Sequence, residues 1–171
     1  MSTAVLSIGS NLGDRLATLQ AAVDAVRPWL RAVSPVYETP PWGPVPQGDY
    51  LNAVLLVSDD DADARMWLRR SHATEQAAGR ARDVRWGPRT LDVDIVIVED
   101  VTSGSVESVT SDDPELTLPH PRASERAFVL VPWAAADPSA RLAGRAITDL
   151  LAALPRADVE AVRLVQDAGL R

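Results

Sequence analysis

Leu91-Asp92-Val93-Asp94-Ile95-Val96-Ile97-Val98 is the clearest strand in the chain, rich in β-branched residues and opening in strict alternation. Alternation puts Asp92 and Asp94 on one face and Leu91, Val93 and Ile95 on the other. Upstream, residues 79–89 break the pattern and carry Arg80, Arg82, Arg85 and Arg89, with Trp86 among them. Before that break, the acidic run 59–63 caps a helix bearing Met66, Leu68, His72 and Ala78. Residues 50–58 read as a buried strand, preceded by a stiff, turn-rich loop over 40–49 with four prolines and two glycines. Residues 33–39 read as a strand confined to an edge or bulge by Pro35. The chain opens with a strand at 3–9 and a helix capped by Asp14, whose apolar positions are Leu16, Leu19, Val23, Val26 and Leu30.

Downstream, residues 101–115 read as a surface excursion rich in Ser, Thr, Val and Asp. Helices are expected at 127–136 and 147–154, and a closing strand at 159–165. The order strand, helix, strand, strand, helix, strand predicts an α+β, ferredoxin-like βαββαβ sheet with helices on one face and a C-terminal extension. Residues 1–171 are expected to form one domain.

Composition narrows the chemistry. All 17 basic residues are arginine, so there is no lysine for a Schiff base or a Walker phosphate loop. Cysteine is absent, which removes disulfides, thiolate nucleophiles and cysteine-ligated zinc. A formal net charge of -7 argues against nucleic acid as a partner, because phosphate backbones are held by a broad basic excess. No apolar run approaches the roughly 20 residues of a membrane span, and the start MSTAVLSIGSN lacks a signal-peptide layout, so the cytoplasm is the expected location.

Adjacent carboxylates at Asp92 and Asp94 repel one another, and a hard cation such as Mg²⁺ is the usual relief. A solvent-facing strand would show the same alternation. The arginine-rich segment beside the strand favours the first reading, since carboxylates, a cation and guanidiniums together suit a polyphosphate. Arginines that merely pair with an acidic surface are the alternative.

Five blocks then point to a family: Ser7-Ile8-Gly9-Ser10-Asn11-Leu12-Gly13; Tyr37-Glu38-Thr39-Pro40-Pro41-Trp42-Gly43-Pro44; Asp49-Tyr50-Leu51-Asn52; Arg85-Trp86-Gly87-Pro88-Arg89-Thr90-Leu91-Asp92-Val93-Asp94; and Leu118-Pro119-His120-Pro121 followed by Arg126-Ala127-Phe128. In order and content they closely resemble the 6-hydroxymethyl-7,8-dihydropterin pyrophosphokinases. The resemblance implies ATP as pyrophosphoryl donor, a pterin alcohol as acceptor, AMP as product and two Mg²⁺ ions. It makes Asp92 and Asp94 the metal ligands. Arg80 and Arg89 become the arginines that engage phosphate during transfer, with Arg82 and Arg85 in the same cluster. Glu75, His120 and Arg126 fall on the ATP side. Tyr50 and Phe128 would sandwich the pterin and Asn52 would read its edge, with Thr39, Pro40, Trp42 and Trp86 lining the pocket. The physics agrees: a flat heterocycle needs π-faces above and below and an amide at its rim. As a lone phenylalanine, Phe128 also fits a plain core role. Against familiar members, the 79–86 segment is about a residue shorter, the stretch between Asp94 and Thr117 is longer, and His72 stands where glutamine is common; a partly buried helical histidine is the expected reading there. A monomer is expected.

Overall fold

The computed structural model describes residues 1–41, 43–79 and 90–171. In chain order the elements are β1 (Ser2–Ser10), α1 (Arg15–Val26), β2 (Leu30–Val33), β3 (Tyr37–Thr39), β4 (Tyr50–Asp59), α2 (Ala64–Ala77), β5 (Asp92–Thr102), β6 (Ser105–Ser108), β7 (Ser111–Asp113), β8 (Leu116–Leu118), α3 (Ala127–Ala136), β9 (Arg141–Leu142), β10 (Arg145–Ala146), α4 (Ile147–Ala153), α5 (Arg156–Glu160) and β11 (Arg163–Leu164). No helix among the described residues is long and apolar enough to cross a membrane.

A mixed α/β architecture results, with β1 at the centre of an antiparallel sheet, flanked by β4 on one side and β5 on the other. The order across the sheet is β11-β3-β4-β1-β5-β6, and β2 also pairs with β4. β2 and β3 share the outer edge of β4, β2 against Leu55–Val57 and β3 against Tyr50–Asn52. The single strand expected at 33–39 is thus two. Pro35 has no N–H for a ladder. Ser34 bridges the break: its N–H donates to Val54 O at 2.9 Å, and its Oγ accepts from Val54 N at 2.9 Å.

Side-chain alternation gives the sheet two apolar faces. Ala4, Leu6, Ile8, Leu55, Val93 and Ile95 pack under α1 and α2 with Leu19, Val23 and Trp67. Val5, Val54, Val96 and Ile97 form a second cluster with Val129, Leu130 and Trp133 of α3 and Ile147 and Leu150 of α4. Helices therefore cover both faces, where the sequence led us to expect one. The expected C-terminal extension supplies the second layer because α3 is apolar nearly all round, and such a helix must be buried. Each fully buried Leu, Val or Trp in these layers contributes on the order of 1.5–3 kcal/mol.

Asp14 and Asp63 cap α1 and α2, accepting from Ala17 N at 3.0 Å and Met66 N at 2.6 Å. α1 stops at Val26 because Pro28 diverts the chain into a 3₁₀ turn, so Leu30 lies in β2 and not on the helix. The expected excursion over 101–115 proves ordered. β5 runs on to Thr102, turns at Gly104 (φ 106°) into β6, and is followed by the β7–β8 hairpin. Of the closing strand expected at 159–165 only Arg163–Leu164 is strand, since Val159 belongs to α5.

Candidate functional site

The front of the sheet, the face that carries α3, is clear of helix at the N-terminal end of β5. Asp92 and Asp94 point to this face, since their neighbours Val93 and Ile95 are buried beneath α2. Register then fixes what stands beside them. Asp92 is opposite Gly9, and Gly9 is opposite Asn52; Asp94 is opposite Ser7, and Ser7 is opposite Val54. Asn52 and Asp92 are consequently two strand spacings apart, about 9.5 Å, with no side chain between them. A Cβ on Gly9 would lie 3.0 Å from Asn52 Oδ1 and 3.4 Å from Tyr50 Cδ1. The glycine keeps the floor of a trough open.

At the Asn52 end, Asn52 is buried and its Nδ2 donates to Thr39 Oγ1 at 2.7 Å. Thr39 is itself the register partner of Tyr50. Pro40 follows, exposed. Asn11 Nδ2 donates to Gln47 Oε1 at 2.8 Å and to Gly48 O at 3.1 Å, tying the end of the 40–49 loop to the end of β1.

At the Asp92 end, β6 pairs only with Glu99–Thr102, so among the described strands the edge of β5 from Asp92 to Val98 has no ladder partner. A cavity of about 290 Å³ lies along it, lined by Leu68, His72 and Glu75 of α2, by Asp92 and Asp94, by the 114–115 turn and the start of β8, and by His120 and Pro121. β5 carries a bulge here, because Val5 pairs with Ile97 but Leu6 with Ile95, leaving Val96 as the extra residue. Val96 O accepts from His120 N at 2.8 Å, which places His120 at the cavity. On the opposite wall the buried Glu75 accepts from Val93 N through Oε1 at 2.9 Å.

Arg126, the residue preceding α3, stands beside Asp94 and Phe128. Its Nη1 donates to Asp94 Oδ2 at 3.2 Å, and its guanidinium lies 5.5 Å from the centre of the Phe128 ring. Phe128 is half-buried against the second apolar cluster, so it serves as core on one side and is available on the other. Burial, then the Arg126 charge, push His120 down to about 4 despite the opposing pull of Asp92. The ring is therefore neutral near pH 7, with Nδ1 accepting from Arg122 N at 3.1 Å and the proton on Nε2.

Of the expected site residues, the structure brings Glu75, Asp92, Asp94 and His120 around one cavity, with Arg126 paired to Asp94 and lying over Phe128. It brings Thr39, Tyr50 and Asn52 together across the Gly9 gap. Trp42, Arg80, Arg82, Arg85, Trp86 and Arg89 lie outside the described residues. Sequence reasoning gave no role to Gly9, Asn11 or Leu68, and preferred a plain helical role for His72. The half-buried His72 does sit on its helix as expected, and it also faces the cavity. Gly9 had a signal, since a glycine inside a strand marks a close approach. Leu68 and His72 had none, because helical periodicity does not say which end of a helix faces a cavity.

Two carboxylates side by side at the edge of a polar cavity suit a hard divalent cation whose other ligands are phosphate oxygens and water. Among the described residues no cluster of three or more acidic or histidine side chains could hold a metal by itself.

Comparison with known proteins bears on the chain as a whole. Residues 5–138 match the 7,8-dihydro-6-hydroxymethylpterin-pyrophosphokinase (HPPK) family. The 2-amino-4-hydroxy-6-hydroxymethyldihydropteridine pyrophosphokinase of Mycobacterium tuberculosis (strain ATCC 25618 / H37Rv) is 53% identical over 170 residues, covering 96% of this chain and 90% of that protein. The protein of the same name from Methylorubrum extorquens is 38% identical over 166 residues, covering 95% and 99%. Among solved structures, wild-type Plasmodium falciparum HPPK-DHPS aligns with a TM-score of 0.60 at 14% identity, over 87% of this chain and 44% of that one. That last likeness concerns the fold, and this chain spans less than half of the larger protein. From the family match and the identity to the bacterial enzymes over nearly its whole length, the chain belongs to the 7,8-dihydro-6-hydroxymethylpterin-pyrophosphokinase family.

Proposed function

We propose that the trough from Asn52 to Asp94 is the active site of a pyrophosphokinase, with the pterin held over Gly9 and the triphosphate of ATP held along the open edge of β5. The reaction is the family's: pyrophosphate passes from ATP to 6-hydroxymethyl-7,8-dihydropterin in folate biosynthesis. The observation that carries the placement is the row Asn52, Gly9, Asp92, which sets an amide reader and a carboxylate on one face with an empty position between them. The strand order β3-β4-β1-β5 with α1 and α2 on one face supports a ferredoxin-like core.

The pterin ring stacks between Tyr50 and Phe128, and Asn52 reads its edge. The bond from Asn52 Nδ2 to Thr39 orients the amide and leaves Oδ1 directed over Gly9. Pro40, Trp42 and Trp86 are assigned to the pterin by the family resemblance alone. On the ATP side we assign His120, Glu75, Arg82 and Arg85 to the nucleotide, and Arg126, which pairs with Asp94, can exchange that carboxylate for a phosphate oxygen. Asp92 and Asp94 hold Mg²⁺, two ions being expected, and the metal supplies charge neutralisation on phosphate oxygens. Arg80 and Arg89 contact the transferring group and spread its charge. The hydroxymethyl oxygen attacks the β-phosphorus in line; the new O–P bond forms as the bond from the β-phosphorus to the bridging oxygen breaks, AMP leaves with that oxygen, and the hydroxyl proton is released in net to solvent. The protein's share is alignment and electrostatics. We place this activity in a single domain that works as a cytoplasmic monomer.

ATP, Mg²⁺ and the hydroxymethyl pterin incubated with the protein should give AMP and pterin pyrophosphate. Phosphate released from ATP without a pterin would instead mark a phosphohydrolase, and binding without turnover a ligand-binding module. ADP as the sole nucleotide product would sink the assignment.

A further inference from the structure

Behind the sheet, directly opposite the trough, four charged residues from distant parts of the chain meet. Arg163 of β11 donates through Nη2 to Glu38 Oε1 at 3.3 Å and to Asp49 Oδ2 at 3.2 Å. Arg15, the first residue of α1, donates through Nη1 to Glu38 Oε2 at 2.9 Å and to the main-chain oxygen of Asp49 at 2.8 Å. Two guanidiniums thus grip the same two acceptor residues. β11 is itself seated on β3, with Arg163 opposite Glu38 and Leu164 opposite Tyr37, and Val165 N donates to Val36 O at 2.9 Å.

The two gripped residues are the neighbours of two site residues. Glu38 precedes Thr39 and Asp49 precedes Tyr50, so the cluster closes the base of the 40–49 loop. Because side chains alternate along a strand, Glu38 points away from the trough while Thr39 points into it. Any slip of Glu38 against Asp49 would carry Thr39 away from Tyr50 and unsettle the Thr39 bond that orients Asn52. Loops starting and ending on neighbouring strands are held chiefly by such base contacts, since the loop contributes entropy against them.

We propose that Arg163, acting with Arg15 through Glu38 and Asp49, is a positioning residue for the pterin subsite: the C-terminal strand sets the spacing of Thr39 and Tyr50 from the reverse face without touching the substrate. The proposal rests on the assignment of Thr39, Tyr50 and Asn52 to the pterin. Arg163 is exposed and belongs to neither apolar cluster, so the defect falls on one ligand. Losing two partly exposed pairs should weaken pterin binding by about three- to tenfold. The guanidinium geometry matters, so Arg163→Lys recovers only part of that.

The experiment is calorimetric titration of the full chain with 6-hydroxymethyl-7,8-dihydropterin in the presence of a non-hydrolysable ATP analogue and Mg²⁺, and separately with the analogue alone, for wild type, Arg163→Ala, Arg163→Lys, Glu38→Gln and Asn52→Ala. Expected are loss of pterin affinity in Arg163→Ala and Glu38→Gln, analogue affinity within about twofold of wild type, and a fall of pterin affinity with added salt that is steeper in wild type than in Arg163→Ala. Pterin affinity within twofold of wild type in both clamp variants, while Asn52→Ala loses it, would overturn the proposal and leave the subsite assignment standing. Equal loss for both ligands would reduce Arg163 to a structural residue. Normal pterin affinity in Asn52→Ala would overturn the subsite assignment and the clamp with it.

Discussion

Asn52 and Asp92 share one register partner, Gly9, and so face each other across a gap that no side chain fills. In Gly9→Ala the added methyl would meet Asn52 Oδ1 at 3.0 Å, a contact tight enough to displace the amide by a few tenths of an ångström from the position its Thr39 bond sets. kcat/KM for the pterin should fall by about tenfold or more, the scale of a lost or misaligned polar contact in a buried site. Affinity for an ATP analogue should change less than twofold. An unchanged pterin KM in steady-state kinetics would show that the substrate does not lie over Gly9.

Asp94 differs from Asp92 in holding Arg126. Asp92→Asn and Asp94→Asn should each lower the single-turnover rate by roughly 10²-fold or more, because a carboxamide is a poor Mg²⁺ ligand while the shape is kept. Stability should stay within about 1 kcal/mol, as the Arg126 pair is partly exposed. Thermal melting beside the rate measurement separates the two effects, and a near-normal rate at ordinary Mg²⁺ would take that aspartate out of the site.

Glu75 supports the metal strand from behind through its bond to Val93 N, between the two aspartates. Glu75→Ala would leave that buried N–H without its acceptor, costing about 1–3 kcal/mol. Glu75→Gln keeps an acceptor oxygen and should be milder. Equilibrium unfolding in urea tests the order, and equal stabilities would mean that the bond contributes nothing.

Protonation of His120 is opposed by burial and by Arg126, which lower it from 6.5 to about 4. The unfolded chain binds this proton from about pH 6.5 downward and the folded chain only near 4. Stability from the neutral ring is therefore complete above about pH 6.5 and is lost as the pH falls toward 4. A cation on Asp92 would remove the one opposing charge and push the value lower still. The chain has two histidines, so NMR titration with His72→Gln as the assignment control reads His120 directly. A midpoint near the ordinary histidine value would contradict this environment.

Much of the fold was legible in sequence because its signals are local. The apolar strand runs at 3–9 and 50–58, the alternation opening 91–98, the caps Asp14 and Asp63, and the apolar run of α3 each act over a few residues, and each element formed. The split of 33–39 was half legible: Pro35 foretold a bulge or edge, but only the bonds between Ser34 and Val54 show how the break is bridged. The end of α1 was misread at Leu30 because apolar spacing ran on through Pro28.

Residue identity sets the chemistry available: aspartates at 92 and 94, no lysine or cysteine, and motif blocks that mark the family. Pairing and packing of whole elements put Asn52, Gly9 and Asp92 in one row, laid α3 and α4 over the second face, brought His120 to the cavity beside the Val96 bulge, and carried Arg163 to Glu38 and Asp49. Residues so far apart in the chain meet through strand register and apolar burial. Both depend on how whole elements pair and pack, which no local pattern encodes.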